Sequence, residues 1–243
     1  LEFFPNCKIE TEERLLSLFK RSYHNDKIVP FYSISNNKKE IEKFDKIIFS
    51  ASLTRFFRNS KTDFSKKTEI KINQELSKEV SNELKILSNK KKIAISWKSK
   101  REFLGEGKSI DIESFLPLLK LNTHFDFINL QYGKVDEDLN KLNKHNIKLN
   151  TLKIDLFNDF EKIAALLKNV DLFITVSNST AHLAGALNVP TWLIKPRTFA
   201  LFHYWNQPSS HCPWYPSIRL IEQNINNHDL FERLNKEVIN FLN

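Results

Sequence analysis

A group of small polar residues, Ser177–Thr180, stands between an apolar run and an alanine-rich run. The first run, Leu172–Val176, is rich in β-branched and aromatic residues, as is typical of a buried strand. The second, Ala181–Leu187, has the composition of a tightly packed helix, which Asn188 could end and Pro190 prevents from continuing. Free N–H groups and the positive end of a helix dipole meet at such a loop. The sequence therefore predicts a site for a phosphate-type ligand.

Two other predicted strand ends carry polar groups. Ligands of open α/β sheets bind beyond the carboxyl ends of the strands. We therefore expect the segments Trp97–Ser109 and Gln131-Tyr132 to lie near Ser177–Thr180. The first of these segments contains two of the four glycines and four basic residues. The candidate ligand-binding residues are Trp97, Lys108, Gln131, Asp159, Ser177, Asn178, Ser179, Thr180 and His182.

Each candidate has a structural alternative. Lys108 suits a diphosphate as a point charge beside helix amides, or is a solvated loop lysine. The residues Asn178–Thr180 could cap a helix, which is compatible with phosphate binding. His182 either contacts a ligand or is satisfied by a core neighbour. Asp159 either meets a ribose or favours a helix N-terminus. The cluster Pro213–Pro216 either stacks on a base or sugar or packs a crossover segment.

From Ile93 onward, strand and helix patterns alternate, which predicts an α/β fold with a doubly wound parallel sheet. The predicted strands are 93–97, 125–130, 147–154, 172–176 and 191–194, with a final strand at 219–221. The predicted helices are 111–119, 136–144, 163–167, 181–187 and 229–242. A capping box formed by Asn158 and Glu161 is predicted to begin the third of these helices.

The region before Ile93 resembles the tail of a first α/β domain. Its predicted helices are Thr11–Ser22, capped by Thr11, and Gln74–Ser88. Its predicted strands are Lys27–Tyr32 and Lys46–Phe49. The run Lys90-Lys91-Lys92 marks a boundary, so we predict a partial N-terminal domain at 1–89 and a C-terminal ligand-binding domain at 90–243.

Composition excludes several classes of protein. The 243-residue chain has a formal charge of +8, but its lysines are dispersed among asparagines and glutamates. This pattern favours a solvated surface or anionic small substrates over nucleic acid as a partner. The sequence has neither an apolar run of about 18 residues nor a signal-peptide pattern, so we expect no transmembrane segment. Two distant cysteines without metal-ligand spacing indicate a cytoplasmic protein with no metal site.

Several motifs occur in an order that resembles a known family. They are Ile95-Ser96-Trp97, the basic loop ending at Lys108-Ser109, Asn129–Gly133, Asn178–Leu187 and Pro213–Ser217. Together they resemble the glycosyltransferase portion of bacterial tetratricopeptide-repeat proteins. Those proteins are relatives of the lipopolysaccharide heptosyltransferases and, more distantly, of the O-linked N-acetylglucosamine transferases. The resemblance spans roughly Glu12 to Leu220 and is strongest from Ile93 onward.

This resemblance implies a GT-B fold. Such a fold has two Rossmann-like domains, the second of which holds most of a nucleotide-sugar donor, and we expect a C-terminal helix to pack back. By resemblance, Lys108 would contact the donor diphosphate, and Asn178, Ser179, Thr180 and His182 would line the donor pocket. Transfer would be inverting and metal-independent, without a cofactor, and the acceptor would be an undefined glycan or protein.

Two departures from the family pattern affect the expected activity. Relatives carry Asp where this chain has Ser177. The Gly-rich loop that opens the first domain would lie upstream of Leu1, so we expect an incomplete first domain and name no catalytic base. Two alternatives to a glycosyltransferase are a non-catalytic nucleotide-sugar-binding or scaffold module and a sugar-nucleotide epimerase on a similar fold.

Overall fold

The chain divides into two compact units, Leu1–Asn73 and Gln74–Asn243. The computed structural model describes residues 6–23, 25–64, 70–100, 102–197, 199–223 and 227–242.

The described residues of the smaller unit form two short strands and three helices. Strand β1 (Ile9–Thr11) pairs in parallel with β2 (Ile28–Pro30). Helix α1 (Glu13–Ser22) buries Leu18, and the short helices α2 (Lys38–Ile41) and α3 (Ser50–Phe57) follow β2.

Two sequence predictions in this unit need correction. Thr11 ends β1 instead of capping α1, and Glu12 occupies the N-cap position without a side-chain cap bond. The predicted strand Lys46–Phe49 is an irregular, exposed segment that leads into α3. Apolar, β-branched residues favour a strand only where a neighbouring strand is available for pairing. This segment pairs with no strand among the described residues, so the prediction was wrong.

The larger unit begins with a helix, and its helices and strands then alternate for most of its length. Its elements are α4 (Gln74–Leu87), β3 (Lys91–Ser96), α5 (Leu116–Leu119), β4 (Phe125–Asn129), α6 (Asp136–Lys144), α7 (Phe160–Lys168), β5 (Leu172–Val176), α8 (Ser179–Ala186), β6 (Thr191–Ile194), β7 (His211–Cys212), β8 (Tyr215–Ile221) and α9 (Asn227–Leu242). The predicted helix 111–119 begins as a 3₁₀ turn that Asp111 caps, and it becomes α-helical only from Leu116.

The six strands form one sheet in the order β4-β3-β5-β6-β8-β7. All neighbours are parallel except β7 and β8. The carboxyl ends of β4, β3, β5, β6 and β8 therefore lie along one edge. Strands β4, β5 and β6 are buried along their whole length, as parallel strands covered on both faces require.

The predicted strand at 147–154 is the main departure from the expected order. Asn150 forms an isolated bridge to Ile128, with backbone hydrogen bonds of 2.8 and 2.9 Å to Asn129 and Phe127. The chain bends at Lys153, so the pairing does not extend into a full strand.

Helix α9 packs back against the segment that contains α5, as expected. Its buried residue Phe231 lies 4.0 Å from Phe115 between ring centroids, and Asn235 donates a 2.8 Å hydrogen bond to the Pro117 carbonyl. Leu230, Leu234 and Val238 join the same apolar core as β3, β4 and β5. Burial of this apolar face fixes α9 on the sheet.

Helix α4 belongs to the larger unit because it packs on α7. The Asn169 side chain, just after α7, donates a 2.8 Å hydrogen bond to the Ser77 hydroxyl. The border between the compact units therefore lies just before α4, whereas the lysine run that suggested the predicted domain boundary lies just after this helix.

None of the helices in the described part of the chain combines the length and apolar character that a membrane crossing needs.

Candidate functional site

Asn178 begins helix α8 at the carboxyl end of β5. Its Oδ1 accepts a 3.0 Å hydrogen bond from the Ala181 backbone N–H, so it is the N-cap residue. Its Nδ2 donates to the Ser96 hydroxyl at 2.6 Å and to the Thr175 hydroxyl at 3.3 Å. The side chain therefore joins the ends of β3 and β5 to the first turn of α8. Its neighbour Ser179 is exposed, whereas Thr180 is buried.

Ser177 is buried and contacts the aromatic-rich segment near the C-terminus. Its hydroxyl accepts a 3.0 Å hydrogen bond from Nε1 of Trp205, whose ring is fully buried. A carboxylate at this position would add a charge, whereas Ser177 supplies a neutral acceptor. In this chain the position joins β5 to the segment between β6 and β7.

His182 lies in the first turn of α8 and is enclosed by aromatic rings. It stacks on Trp205 at 4.9 Å between centroids and meets Tyr204 edge-on at 4.9 Å. Its Nδ1 lies 3.3 Å from the Tyr215 hydroxyl. Burial, together with the positive charge of Lys108, lowers the pKa of His182 to about 4. The imidazole is therefore neutral at physiological pH and poorly suited to accept a proton as a general base.

Lys108 ends a 3₁₀ turn, Glu106–Lys108, in the loop after β3. The Ser109 hydroxyl closes this turn by donating a 2.7 Å hydrogen bond to the Gly105 carbonyl. Lys108 is 6% exposed, and its ammonium lies 4.2 Å from the ring centroid of Phe202. Phe202 packs on Tyr204, which meets His182 edge-on, so these rings link Lys108 to the first turn of α8.

Trp97 and Gln131 are buried and bound to each other at the ends of β3 and β4. The Gln131 Oε1 accepts hydrogen bonds from the backbone N–H groups of Trp97, at 2.8 Å, and Lys98, at 2.7 Å. The Trp97 indole donates a 3.0 Å hydrogen bond to Asp138. These contacts hold the two strand ends together, and a direct role in ligand binding stays a prediction for both residues.

Asp159 is the N-cap of α7. Its carboxylate accepts a 2.9 Å hydrogen bond from the Lys162 backbone N–H, so Asp159 takes the capping position that the sequence assigned to Asn158. A contact with a ribose stays a prediction.

The aromatic enclosure of His182 was not identified from the sequence. It consists of Tyr204, Trp205 and Tyr215, with Phe202 packed on Tyr204 at 5.4 Å between centroids. The density of aromatic residues between Phe199 and Ser217 was the available signal. It could not indicate which side chain these rings would contact.

Gly185 allows Tyr215 to approach helix α8. A Cβ at Gly185 would lie 2.4 Å from Cγ of Tyr215 and 2.7 Å from its Cβ, both close to the Tyr215 backbone. We expect Gly185→Ala to lower the free energy of unfolding by about 2 kcal/mol because overpacking outweighs the helix-propensity gain of about 1 kcal/mol. Urea denaturation would measure the change.

The same substitution in a Tyr215→Gly background provides the control, because glycine removes both the Cβ and the ring of Tyr215. Without these atoms, Gly185→Ala should become stabilising, as helix propensity predicts. An equal loss of stability in both backgrounds would show that the Tyr215 contact is not the cause.

In the residues that the structure describes, no group of three or more His, Cys, Asp or Glu side chains could hold a metal ion.

Comparisons with known proteins relate the chain to glycosyltransferase folds. No family model matches it. Protein FlbA of Caulobacter vibrioides is 30% identical over 146 residues, which are 51% of this chain and 23% of FlbA. The E. coli ADP-heptose lipopolysaccharide heptosyltransferase II superposes with a TM-score of 0.53 at 14% identity. That match covers 76% of this chain and 57% of the heptosyltransferase.

A second solved structure, E. coli heptosyltransferase WaaC with ADP, is 16% identical and has a TM-score of 0.45 over 66% of this chain and 48% of WaaC. The chain thus spans about a quarter of FlbA and just over half of heptosyltransferase II.

The parallel-rich sheet, the helices on its faces and the similarity to heptosyltransferase II define the architecture. The chain has an α/β, glycosyltransferase-like fold of the GT-B type.

Proposed function

We propose that the larger unit binds a nucleotide-sugar donor and that the chain is part of a glycosyltransferase. The observation that carries the proposal is the position of the Lys108 ammonium, 4.2 Å from the Phe202 ring centroid, in the aromatic cluster that surrounds His182 in the first turn of α8. An ammonium group and the N-terminal amides of a helix are complementary to a diphosphate. The neutral imidazole of His182 adds a hydrogen-bonding group at the same place.

The proposed transfer is inverting and independent of metal or cofactor. The diphosphate of the departing nucleotide would gain negative charge as the sugar is transferred. Lys108 and the N-terminal amides of α8 would stabilise that charge. The low pKa of His182 supports a role for this residue as a hydrogen-bonding group in the donor pocket, and another residue would serve as the catalytic base. We propose no identity for that base or for the glycan or protein acceptor.

Calorimetric titration with ADP, UDP and GDP tests donor binding directly. ADP is the first choice because the structural neighbour heptosyltransferase II is linked to ADP-heptose. We expect one nucleoside diphosphate to bind in preference to the other two. If none of the three binds, the donor-site proposal is wrong.

Replacing Lys108 with methionine should weaken the binding of that nucleotide by about 1–3 kcal/mol because a charge-assisted hydrogen bond is lost. Lys120→Met is a matched control, since Lys120 is exposed and precedes β4 at the opposite edge of the sheet. Equal affinities for the Lys108 and Lys120 variants would remove Lys108 from the site.

A non-catalytic nucleotide-sugar-binding module is the second candidate. It is favoured by Ser177, whose hydroxyl is engaged by Trp205 at a position where the resembling enzymes carry an acid. Incubation with the sugar nucleotide that matches the bound diphosphate separates the candidates. Release of the nucleotide, with NMR detection of the anomeric configuration of the released or transferred sugar, would support an enzyme. Binding without turnover would support the module.

A further inference from the structure

Trp205 contacts two residues at the carboxyl edge of the sheet through different parts of its ring. Its indole Nε1 donates a 3.0 Å hydrogen bond to the hydroxyl of Ser177, just after β5. A face of the same ring stacks on the His182 imidazole, with 4.9 Å between centroids and 29° between the ring planes. The Trp205 ring is fully buried and Ser177 is 2% exposed, so water does not compete for the hydrogen bond.

The hydrogen bond to Ser177 fixes the orientation of the indole. A buried ring that is held by packing alone can tilt in its pocket, whereas a directional bond at Nε1 sets the direction of one ring edge. Ser177 and His182 flank the start of α8, and Trp205 reaches them from the segment between β6 and β7. The Ser177 hydroxyl therefore sets the plane of the ring on which His182 stacks.

The orientation of His182 matters because its imidazole is neutral. A neutral imidazole binds a ligand through directional hydrogen bonds and contributes no charge, so its ring must face the ligand correctly. Tyr204 meets the imidazole edge-on, and Nδ1 lies 3.3 Å from the Tyr215 hydroxyl. Trp205 adds the stacked contact, which restrains the tilt of the imidazole plane.

We propose that Ser177 and Trp205 are positioning residues of the donor site, and that the hydrogen bond between them fixes the plane in which His182 presents its imidazole to the nucleotide-sugar donor. This inference rests on the proposed donor-binding function. It gives Ser177 a role that a neutral hydroxyl can perform.

The test removes each partner of the hydrogen bond and measures binding by calorimetric titration with the preferred nucleoside diphosphate. Ser177→Ala removes the acceptor, and Trp205→Phe keeps a stacking ring but removes the donor. We expect each variant to bind about tenfold more weakly, as loss of one well-oriented hydrogen bond predicts. Ser209→Ala is the matched control, because it removes an exposed hydroxyl from the same segment as Trp205. Equal affinities for the two alanine variants would overturn the proposal.

Double variants separate positioning through His182 from a general structural effect. Ser177→Ala/Trp205→Phe should bind about as well as either single variant, because both substitutions remove the same bond. In a His182→Gln background there is no imidazole to orient, so Ser177→Ala should change affinity less than about twofold. A tenfold effect that persists in the His182→Gln background would contradict the inference.

A measurement without nucleotide distinguishes failure of this inference from failure of the proposed function. Burial is the main cause of the low pKa of His182. NMR titration should show that Ser177→Ala raises the pKa of His182 by about 1, because a tilted indole admits water to the imidazole, and that Ser209→Ala leaves it unchanged. If this pattern holds but no nucleotide binds, the donor-site proposal fails and only the contact between Trp205 and His182 stands. If Ser177→Ala leaves the pKa of His182 unchanged, the positioning role fails whether or not nucleotide binds.

Discussion

Replacing Lys92 with methionine is expected to lower the free energy of unfolding of the larger unit by about 3–5 kcal/mol. The Lys92 ammonium donates to Asp126 at 2.8 Å and to the backbone carbonyls of Ser88, at 2.8 Å, and Lys90, at 2.6 Å. The Lys92 and Asp126 side chains are only 8% and 11% exposed. Removing the ammonium leaves a buried carboxylate without its cation, which costs more than the pair contributes when intact.

The pKa of Asp126 reflects the same balance. Burial of the carboxyl raises its pKa, but hydrogen bonds from Lys92 and Ser88 and nearby positive charges outweigh burial and hold it below its usual value. In Lys92→Met the pKa of Asp126 should therefore rise. The loss of stability should then be smaller at acid pH, where the carboxyl becomes protonated.

Lys91→Met is a matched control one residue away. Lys91 also forms an ion pair, with Asp171 at 2.9 Å, but its side chain is 56% exposed. Solvent screening makes such an exposed pair contribute much less to stability than a buried one. Guanidinium denaturation of both variants would measure the contrast, and a similar cost for the two substitutions would show that burial of the Lys92 pair is not the source of its effect.

The second large effect concerns the pH dependence of stability through His182. The pKa of His182 is about 4 in the folded chain, against 6.5 for an ordinary histidine. Between these values the unfolded state binds more protons than the folded state, so stability falls as the pH decreases. The stability is fully present above pH 6.5 and is lost as the pH falls to about 4, by about 3 kcal/mol in total.

His182→Gln should remove this component of the acid instability. Between about pH 7 and pH 5, the unsubstituted protein should lose about 2 kcal/mol more than the variant in urea denaturation. His124→Gln serves as the control because it changes an exposed imidazole in the same unit. If the His182→Gln and unsubstituted proteins lose the same stability over this range, the partly buried, neutral state of His182 is refuted.

The sequence predicted the element that carries the candidate site because its signals are local. The apolar, β-branched run gives β5, and the polar residues give a capped helix start at Asn178. Asn188 adopts a positive φ of 56° just beyond α8, as its predicted position after the helix requires. These features depend on residues within about one helical turn of each other, so a short window contains the information.

Local composition did not predict strands correctly where a strand requires a neighbouring strand for pairing. Lys46–Phe49 and the segment 147–154 have apolar residues in strand-like patterns, but neither forms a full strand. A strand is stabilised by neighbouring strands and by burial of its faces, which are properties of the assembled sheet. Composition could not reveal whether those partners would be present.

The sequence by itself determined an α/β chain with a parallel sheet and a polar, capped helix start at the end of β5. Only the tertiary structure decided how that site is constructed, with Ser177 bound to Trp205, Lys108 over Phe202, and His182 enclosed and neutral. The partners in each of these contacts are more than twenty residues apart in the chain. The sequence supplies the charge, the hydroxyl and the rings, but the path of the chain between β6 and β8 decides which of them meet.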